Sequence, residues 1–316
     1  MNKGIKHSYV YVLSLIEYDG ALPFEIIPNH FFDRVNQDQI KELNELNEAF
    51  TSKMHSPVPY EYDLIEKVEG TSKHQSYEHL PPEKWRYWVI NFTGYNTELQ
   101  RLEIAFELVP QEVRFGYSIL HDEKMGEILG YNAARINSYL LQSPIPRNRI
   151  TRVSDDDLRE IGQNYQYIKS CYDDQNSIWI ALLRYHLLRT LPENSEIRLI
   201  GLFAVIEVLI THRPKLVESL DSITHQMFSK ISLLNNRSKD ELPYDEYFGE
   251  LKPKKVWSLL YEYRSRIVHG DWVNFVGILA PLRSLENTYT FVDIAVKMLL
   301  KQAILEPDLI IDLKKC

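Results

Sequence analysis

KKVWSLLYEYRSRIVHGDW, residues 254 to 272, is the stretch on which the reading of the fold turns. Projected at about 100° per residue, Val256, Leu259, Leu260, Tyr263 and Ile267 gather on one face, which predicts an amphipathic helix over residues 253 to 268 packed into a bundle. With Tyr263 as the zero, the apolar stripe centres near about +20°, Arg264 falls at about +100° and His269 at about −120°. Both polar residues therefore lie off the core face, open to something outside the bundle. Arg266, at about −60°, shares the side of His269 one turn away, where it either binds a backbone phosphate or flanks the core. Gly270 follows directly and suits the left-handed residue that closes a helix, so His269 is expected at a helix end.

The chain around this helix reads as almost wholly helical from residue 151 onward. Ser154 with Asp155, Asp156 and Asp157 forms an N-cap followed by acids in the first turn, ahead of LREIGQNYQYIKSCY. A second helix is predicted from Ser177 to Arg189. Asn194 and Ser195 offer a cap for EIRLIGLFAVIEVLITH, whose apolar residues surround most of the helix and mark a bundle centre. Shorter helices are expected over 219 to 234 and 253 to 268. A long last one is expected from Phe275 to Leu305, bent near Pro281 and ended by Pro307.

Residues 1 to 150 read differently, as a mixed α and β domain. MNKGIKHSYVYVLSLIEYDG resembles a signal peptide only in its lysines; the apolar run is broken by Ser8, Tyr9, Tyr11 and Ser14 and reads as a first strand. Asp19-Gly20 and the run PFEIIP then suggest a strand pair. QDQIKELNELNEAF after Asn36 is an amphipathic helix, with Ile40, Leu43, Leu46 and Phe50 in register. The polar, proline-containing stretch from Thr51 to Pro82 is expected to be a long loop. WRYWVINF (85 to 92) and VRFGYSIL (113 to 120) have strand composition, and TELQRLEIAFELV between them favours helix. HDEKMGEILGYN is read as polar connection. Pro144, Pro146, Arg147, Arg149 and Arg152 mark the boundary between the two domains.

Composition narrows the chemistry. A formal charge of −8 over 316 residues argues against nucleic-acid binding by a general basic coat, so any such role needs a local site. Cys171 and Cys316 are too few and too distant for a disulfide framework or a thiolate metal site, which fits a reducing cytoplasm. No run approaches the length of a membrane-spanning helix, and a soluble protein is expected. His121, Asp122 and Glu123 are consecutive and do not converge as helical ligands would; His74, Glu78 and His79 lie in a proline-flanked polar stretch. Both groups read as solvated loop. No metal or cofactor is expected, since Gly-rich phosphate loops and nucleophile elbows are missing from the sequence.

An arginine and a histidine off the core face have a specific chemical use. Cleaving RNA without a metal requires a group that assists attack by the ribose 2′-hydroxyl, a proton donor for the leaving 5′-oxygen and a cation on the phosphate. Imidazole titrates near neutral pH, and a helix C-terminus favours its charged form. Guanidinium holds a phosphate through two parallel hydrogen bonds. Spacing alone also fits an ordinary surface pair.

The wider text, Tyr-x-x-Arg-Ser-x-Ile-Val-His-Gly late in a mostly helical domain, resembles the HEPN superfamily and in particular its Apea-like bacterial members. The likeness spans residues 154 to 306. The family motif of an arginine, a polar residue and a later histidine matches Arg264, Ser265 and His269, and a glutamate in the core helix matches Glu207. Ser265 departs from the Asn, Asp or His most often found there. The resemblance implies an all-α bundle that dimerises so that two motifs share one cleft, acting on RNA as a metal-independent endoribonuclease in antiviral defence or a toxin system. The N-terminal domain would then regulate or sense a protein or small-molecule trigger. A non-catalytic HEPN scaffold is the alternative. Beside the motif, Glu207 either pairs with Arg264 or Arg198 or reaches solvent, and Asp271 either orients His269 or serves the turn.

Overall fold

The computed structural model describes residues 8–12, 14–51, 62–69, 72–81, 84–93, 98–111, 113–121, 128–132, 150–171, 176–192, 195–212 and 223–315. An antiparallel sheet region is followed by a mostly helical C-terminal part. The chain divides into two compact units, Met1–Gln163 and Asn164–Cys316.

In the first unit β1 (Ser8–Val12), β2 (Ile16–Glu17), β3 (Phe24–Ile27) and β4 (His30–Arg34) precede α1 (Gln37–Thr51). Next come β5 (Tyr62–Glu69), β6 (Ser72–His79), β7 (Trp88–Phe92), α2 (Leu99–Glu107), β8 (Phe115–His121), β9 (Ile128–Asn132) and β10 (Thr151–Arg152). Six strands form one antiparallel sheet in the order β3-β4-β7-β1-β8-β9, with β2 and β10 a short parallel pair. Every residue of SYVYV in β1 is buried, as a central strand requires. The expected pairing of β1 with PFEIIP does not form: β1 lies between β7 and β8, and β3 pairs with β4.

The expected loop from Thr51 to Pro82 is corrected. β5 and β6 pair over eight residues each, from Tyr62↔His79 to Glu69↔Ser72, and residues 52–61 lie outside the described part. β6, SKHQSYEH, is polar along its length, and main-chain hydrogen bonding pairs it with β5 without an apolar run of its own, so its composition concealed the ladder. β4 (HFFDR) and β9 (ILGYN) are two further strands that the periodicity did not assign. His121 also moves. It ends β8 and is buried, not solvated, while Asp122 and Glu123 lie outside the described residues.

The first unit's core closes where α1 covers the sheet. Ile40 and Leu43 join Tyr9, Tyr11, Tyr87, Val89 and Ile119 in one cluster. A reciprocal capping box fixes the helix start: Asn36 N–H donates to Gln39 Oε1 at 3.0 Å and Gln39 N–H to Asn36 Oδ1 at 2.9 Å. Glu42 ties helix to sheet. It accepts from the Tyr9 hydroxyl at 2.9 Å and sits 3.2 Å from His121 Nε2, which the carboxylate identifies as the protonated nitrogen.

The helical part begins with α3 (Asp155–Ser170), α4 (Ser177–Leu188), α5 (Glu196–Ile210) and α6 (Ile223–Arg237). It continues with α7 (Tyr244–Phe248), α8 (Pro253–His269), a 3-10 turn (Gly277–Leu282), α9 (Leu285–Leu305) and α10 (Pro307–Lys315). Ser154 and Asp157 cap α3 reciprocally, the Ser154 N–H donating at 2.8 Å and its Oγ accepting at 3.2 Å. Within the second unit α5 is central: it touches α4, α6, α8, α9 and α10, and buries Leu199, Leu202, Phe203, Val205, Ile206, Leu209 and Ile210. The single helix expected from Phe275 to Leu305 is two elements. Ser284 accepts from Asn287 N–H and starts α9 afresh after the Pro281-containing 3-10 turn. α9 ends at Leu305, as expected ahead of Pro307; Pro307 then opens a further helix, α10, because proline fits the first helical turn, where an N–H has no intrahelical partner.

Among the described residues no helix is long and apolar enough to cross a membrane, and no group of three His, Cys, Asp or Glu side chains is placed to hold a metal.

Gly162 of α3 lies against β3, where an added Cβ would stand 2.5 Å from the Ile26 carbonyl oxygen. That neighbour is backbone and cannot rotate away. Gly162→Ala is therefore expected to lower unfolding stability by about 1–3 kcal/mol despite alanine's better helix propensity. Urea denaturation of the two proteins measures it, and an unchanged or raised midpoint would contradict the close contact.

Candidate functional site

α8 carries the site. It starts with Pro253 in its first turn and buries Val256, Trp257, Leu259, Leu260 and Tyr263 along one face. Tyr263 is 1% exposed, its hydroxyl donates to Glu196 at 3.4 Å, and its ring meets Phe275 at 5.0 Å. Burial, then the Glu196 charge, pushes its ionisation far above the ordinary phenol range. It is a packing residue that stays neutral.

The helix ends in a hydrogen-bonded closure. Gly270 takes φ 81°, its N–H donates to the Ile267 carbonyl at 3.0 Å, and Asp271 N–H donates to the Arg266 carbonyl at 3.0 Å. These two bonds form a Schellman motif and satisfy carbonyls that the helix leaves open. His269, the last helical residue, is exposed, and its ring makes no hydrogen bond to any described residue. Its imidazole is thus presented to solvent at the negative end of the helix dipole.

Arg264 sits differently. Its Nη2 lies 3.2 Å from Glu207 Oε1 of α5, each side chain 24% exposed, and its guanidinium stands over the Tyr261 ring at 5.6 Å. The contact is an ion pair without hydrogen-bond angles: Arg264 Nε and Glu207 Oε1 are both buried and lack a hydrogen-bond partner. Arg264 is at the core's rim rather than free of it. Of the two partners open to Glu207 in the sequence, Arg264 is the one it meets. Arg198 is instead buried, donates to the Leu191 carbonyl at 3.2 Å and stacks on Tyr289 at 4.9 Å.

The remaining predicted residues separate. Arg266 Nε donates to Glu262 at 2.7 Å, an i, i+4 pair, so its guanidinium is already engaged. Asp271 contributes its backbone N–H to the helix closure, and its carboxylate makes no hydrogen bond to His269 or any other described residue. Its expected orienting role is not what this geometry provides. The half-buried Ser265 hydroxyl likewise has no hydrogen-bond partner among the described residues. Five helical steps separate Arg264 from His269, about 140° of rotation and about 7.5 Å of rise, so one helix does not aim both at one point. Glu262 and Glu196 were missed as partners; the spacing of Glu262 and Arg266 was the available signal.

An exposed ion pair contributes about 0–1 kcal/mol, while breaking a fully buried one costs about 3–5 kcal/mol. With a quarter of each side chain exposed, Glu207→Gln and Arg264→Met are each expected to cost about 1–2 kcal/mol, with the double variant costing less than their sum. Urea unfolding of the four proteins reads this coupling, and strict additivity would mean the ion pair contributes nothing. No protein-family model matches the chain, nor does any curated protein or solved structure.

Proposed function

We propose that the helical part is a HEPN-type bundle and that the protein is a metal-independent endoribonuclease, acting in antiviral defence or a toxin system, with Arg264 and His269 as its catalytic residues. The observation that carries this reading is His269, exposed and without a hydrogen-bond partner among the described residues, at a hydrogen-bonded helix end five residues after an arginine. Because a single α8 turns the two side chains about 140° apart, the reaction needs two copies of the chain, related by a two-fold axis that brings both motifs to one phosphate.

In that cleft one His269 imidazole takes the proton from the ribose 2′-hydroxyl as its oxygen attacks phosphorus. The partner copy's imidazole gives a proton to the 5′-oxygen as the P–O5′ bond breaks. Arg264 holds the non-bridging oxygens, whose charge grows in the transition state. The products are a 2′,3′-cyclic phosphate and a 5′-hydroxyl, and no water is consumed in the step. Glu207 sets the Arg264 rotamer, and the N-terminal domain regulates the nuclease by responding to a protein or small-molecule trigger.

A second reading has its own support. The Arg264–Glu207 ion pair gives Arg264 a structural task, which suits a non-catalytic HEPN scaffold that holds a partner by its helices.

Incubating the purified protein with mixed RNA in EDTA separates the two. Wild type is expected to leave cyclic-phosphate ends, with His269→Ala and Arg264→Ala each lowering cleavage at least about a hundredfold, the scale of a lost acid–base or charge-stabilising group. Adding excess His269→Ala protein to wild type is expected to lower cleavage below that of wild type alone, since a mixed dimer holds only one of the two imidazoles the step uses. Equal cleavage by all three proteins would refute the assignment; wild-type activity unaffected by the added variant under conditions where subunits exchange would refute the shared site.

A further inference from the structure

The indole of Trp272 is 94% exposed, whereas Trp85, Trp88, Trp179 and Trp257 are 2–7% exposed. Its N–H has no hydrogen-bond partner among the described residues. The backbone that displays it is nevertheless anchored on both sides. Upstream, the Gly270 and Asp271 N–H groups are bonded back to α8; downstream, Phe275 packs on Tyr263 and the 3-10 turn buries Leu279 and Leu282. A free aromatic plane is thus held on a short arch whose ends are fixed. It lies three residue steps from His269, a span of at most about 10 Å, comparable with the reach from a phosphate to a neighbouring base.

We infer that Trp272 is a stacking platform for one unpaired nucleobase next to the scissile phosphate. The inference rests on the ribonuclease reading above for the identity of the phosphate. Every nucleobase offers a π-face, and aromatic side chains use it to bind single strands without reading sequence. In a duplex that face is covered by the neighbouring base pairs. Nearby Val268, Val276 and Ile278 are also exposed, at 49%, 63% and 65%. They are aliphatic and offer no plane, so a flat protein contact falls to them and the base to Trp272. The negative charge of the whole chain leaves little general attraction for RNA, and a stacking contact supplies affinity that does not depend on it.

Because the other four tryptophans are buried, iodide or acrylamide quenching of the full-length protein reports on Trp272. The probe is a single-stranded 2′-O-methyl oligoadenylate, which lacks the attacking hydroxyl and is not cleaved. It is expected to shield the indole from quencher, while the same oligomer annealed to its complement does not. Trp272→Ala should weaken binding about tenfold to a hundredfold, and Trp272→Phe should restore most of it. On cleavable single-stranded RNA, Trp272→Ala should raise KM with little change in kcat. Circular dichroism of both variants checks that the surface substitution leaves the fold intact.

The outcomes distinguish the platform from the reaction. Cleavage that depends on His269, with an indole that stays quenchable under saturating oligomer, overturns the platform and leaves the ribonuclease. Shielding by the oligomer in a protein that cleaves no RNA keeps the platform and removes the ribonuclease. Shielding that rises with protein concentration in the absence of oligomer assigns Trp272 to a contact between copies of the chain and overturns the inference.

Discussion

Helix α5 has apolar residues on nearly every side, and a helix of that kind must be enclosed before its own hydrogen bonds are stable in water. Five other helices of the unit supply the enclosure, among them α8. This burial sets the rotation of α8 about its axis: Val256, Leu260 and Tyr263 turn inward, and the positions of Arg264 and His269 follow from helical geometry alone. The one acid on α5 that the enclosure leaves partly open, Glu207, is then met by Arg264. The candidate site is a by-product of core packing to this extent, its arginine placed by a hydrophobic stripe on the same helix.

The features legible in sequence are those that rest on period and capping. The stripe of α8, the left-handed Gly270, the acid-rich start of α3 and the all-round apolar α5 are local properties, each fixed by residues within a few turns. What escaped depended on partners distant in the chain. The polar β6 is a strand because it pairs with β5, and β1 takes neighbours from residues 88–92 and 115–119 rather than from the next apolar run. His121 shows the same limit: beside Asp122 and Glu123 it reads as solvated, yet Glu42, 79 residues away, receives it under α1. At the site itself, the Glu207 pairing was one of several readings, while the exposure of Trp272 and the engagement of Arg266 by Glu262 became visible only with the fold.

A polar cluster links helix to sheet in the first unit. One carboxylate, Glu42, receives both a tyrosine hydroxyl and an imidazole, and Tyr9 stacks on the same His121 ring at 5.9 Å. Such a cluster specifies how α1 lies on the sheet more sharply than apolar contacts do, since a slipped helix would leave a part-buried carboxylate without these donors. His121 Nδ1 is buried without a hydrogen bond, so the cluster is satisfied on one side of the ring only.

The ion pair at the rim of α5 also sets the local electrostatics. An anion that approaches Arg264 approaches the Glu207 carboxylate as well, whose Oε1 stands 3.2 Å from the same guanidinium. Binding of any polyanion at this rim is therefore opposed by the protein's own acid, and the pair presents less positive potential than a lone arginine at the same exposure would.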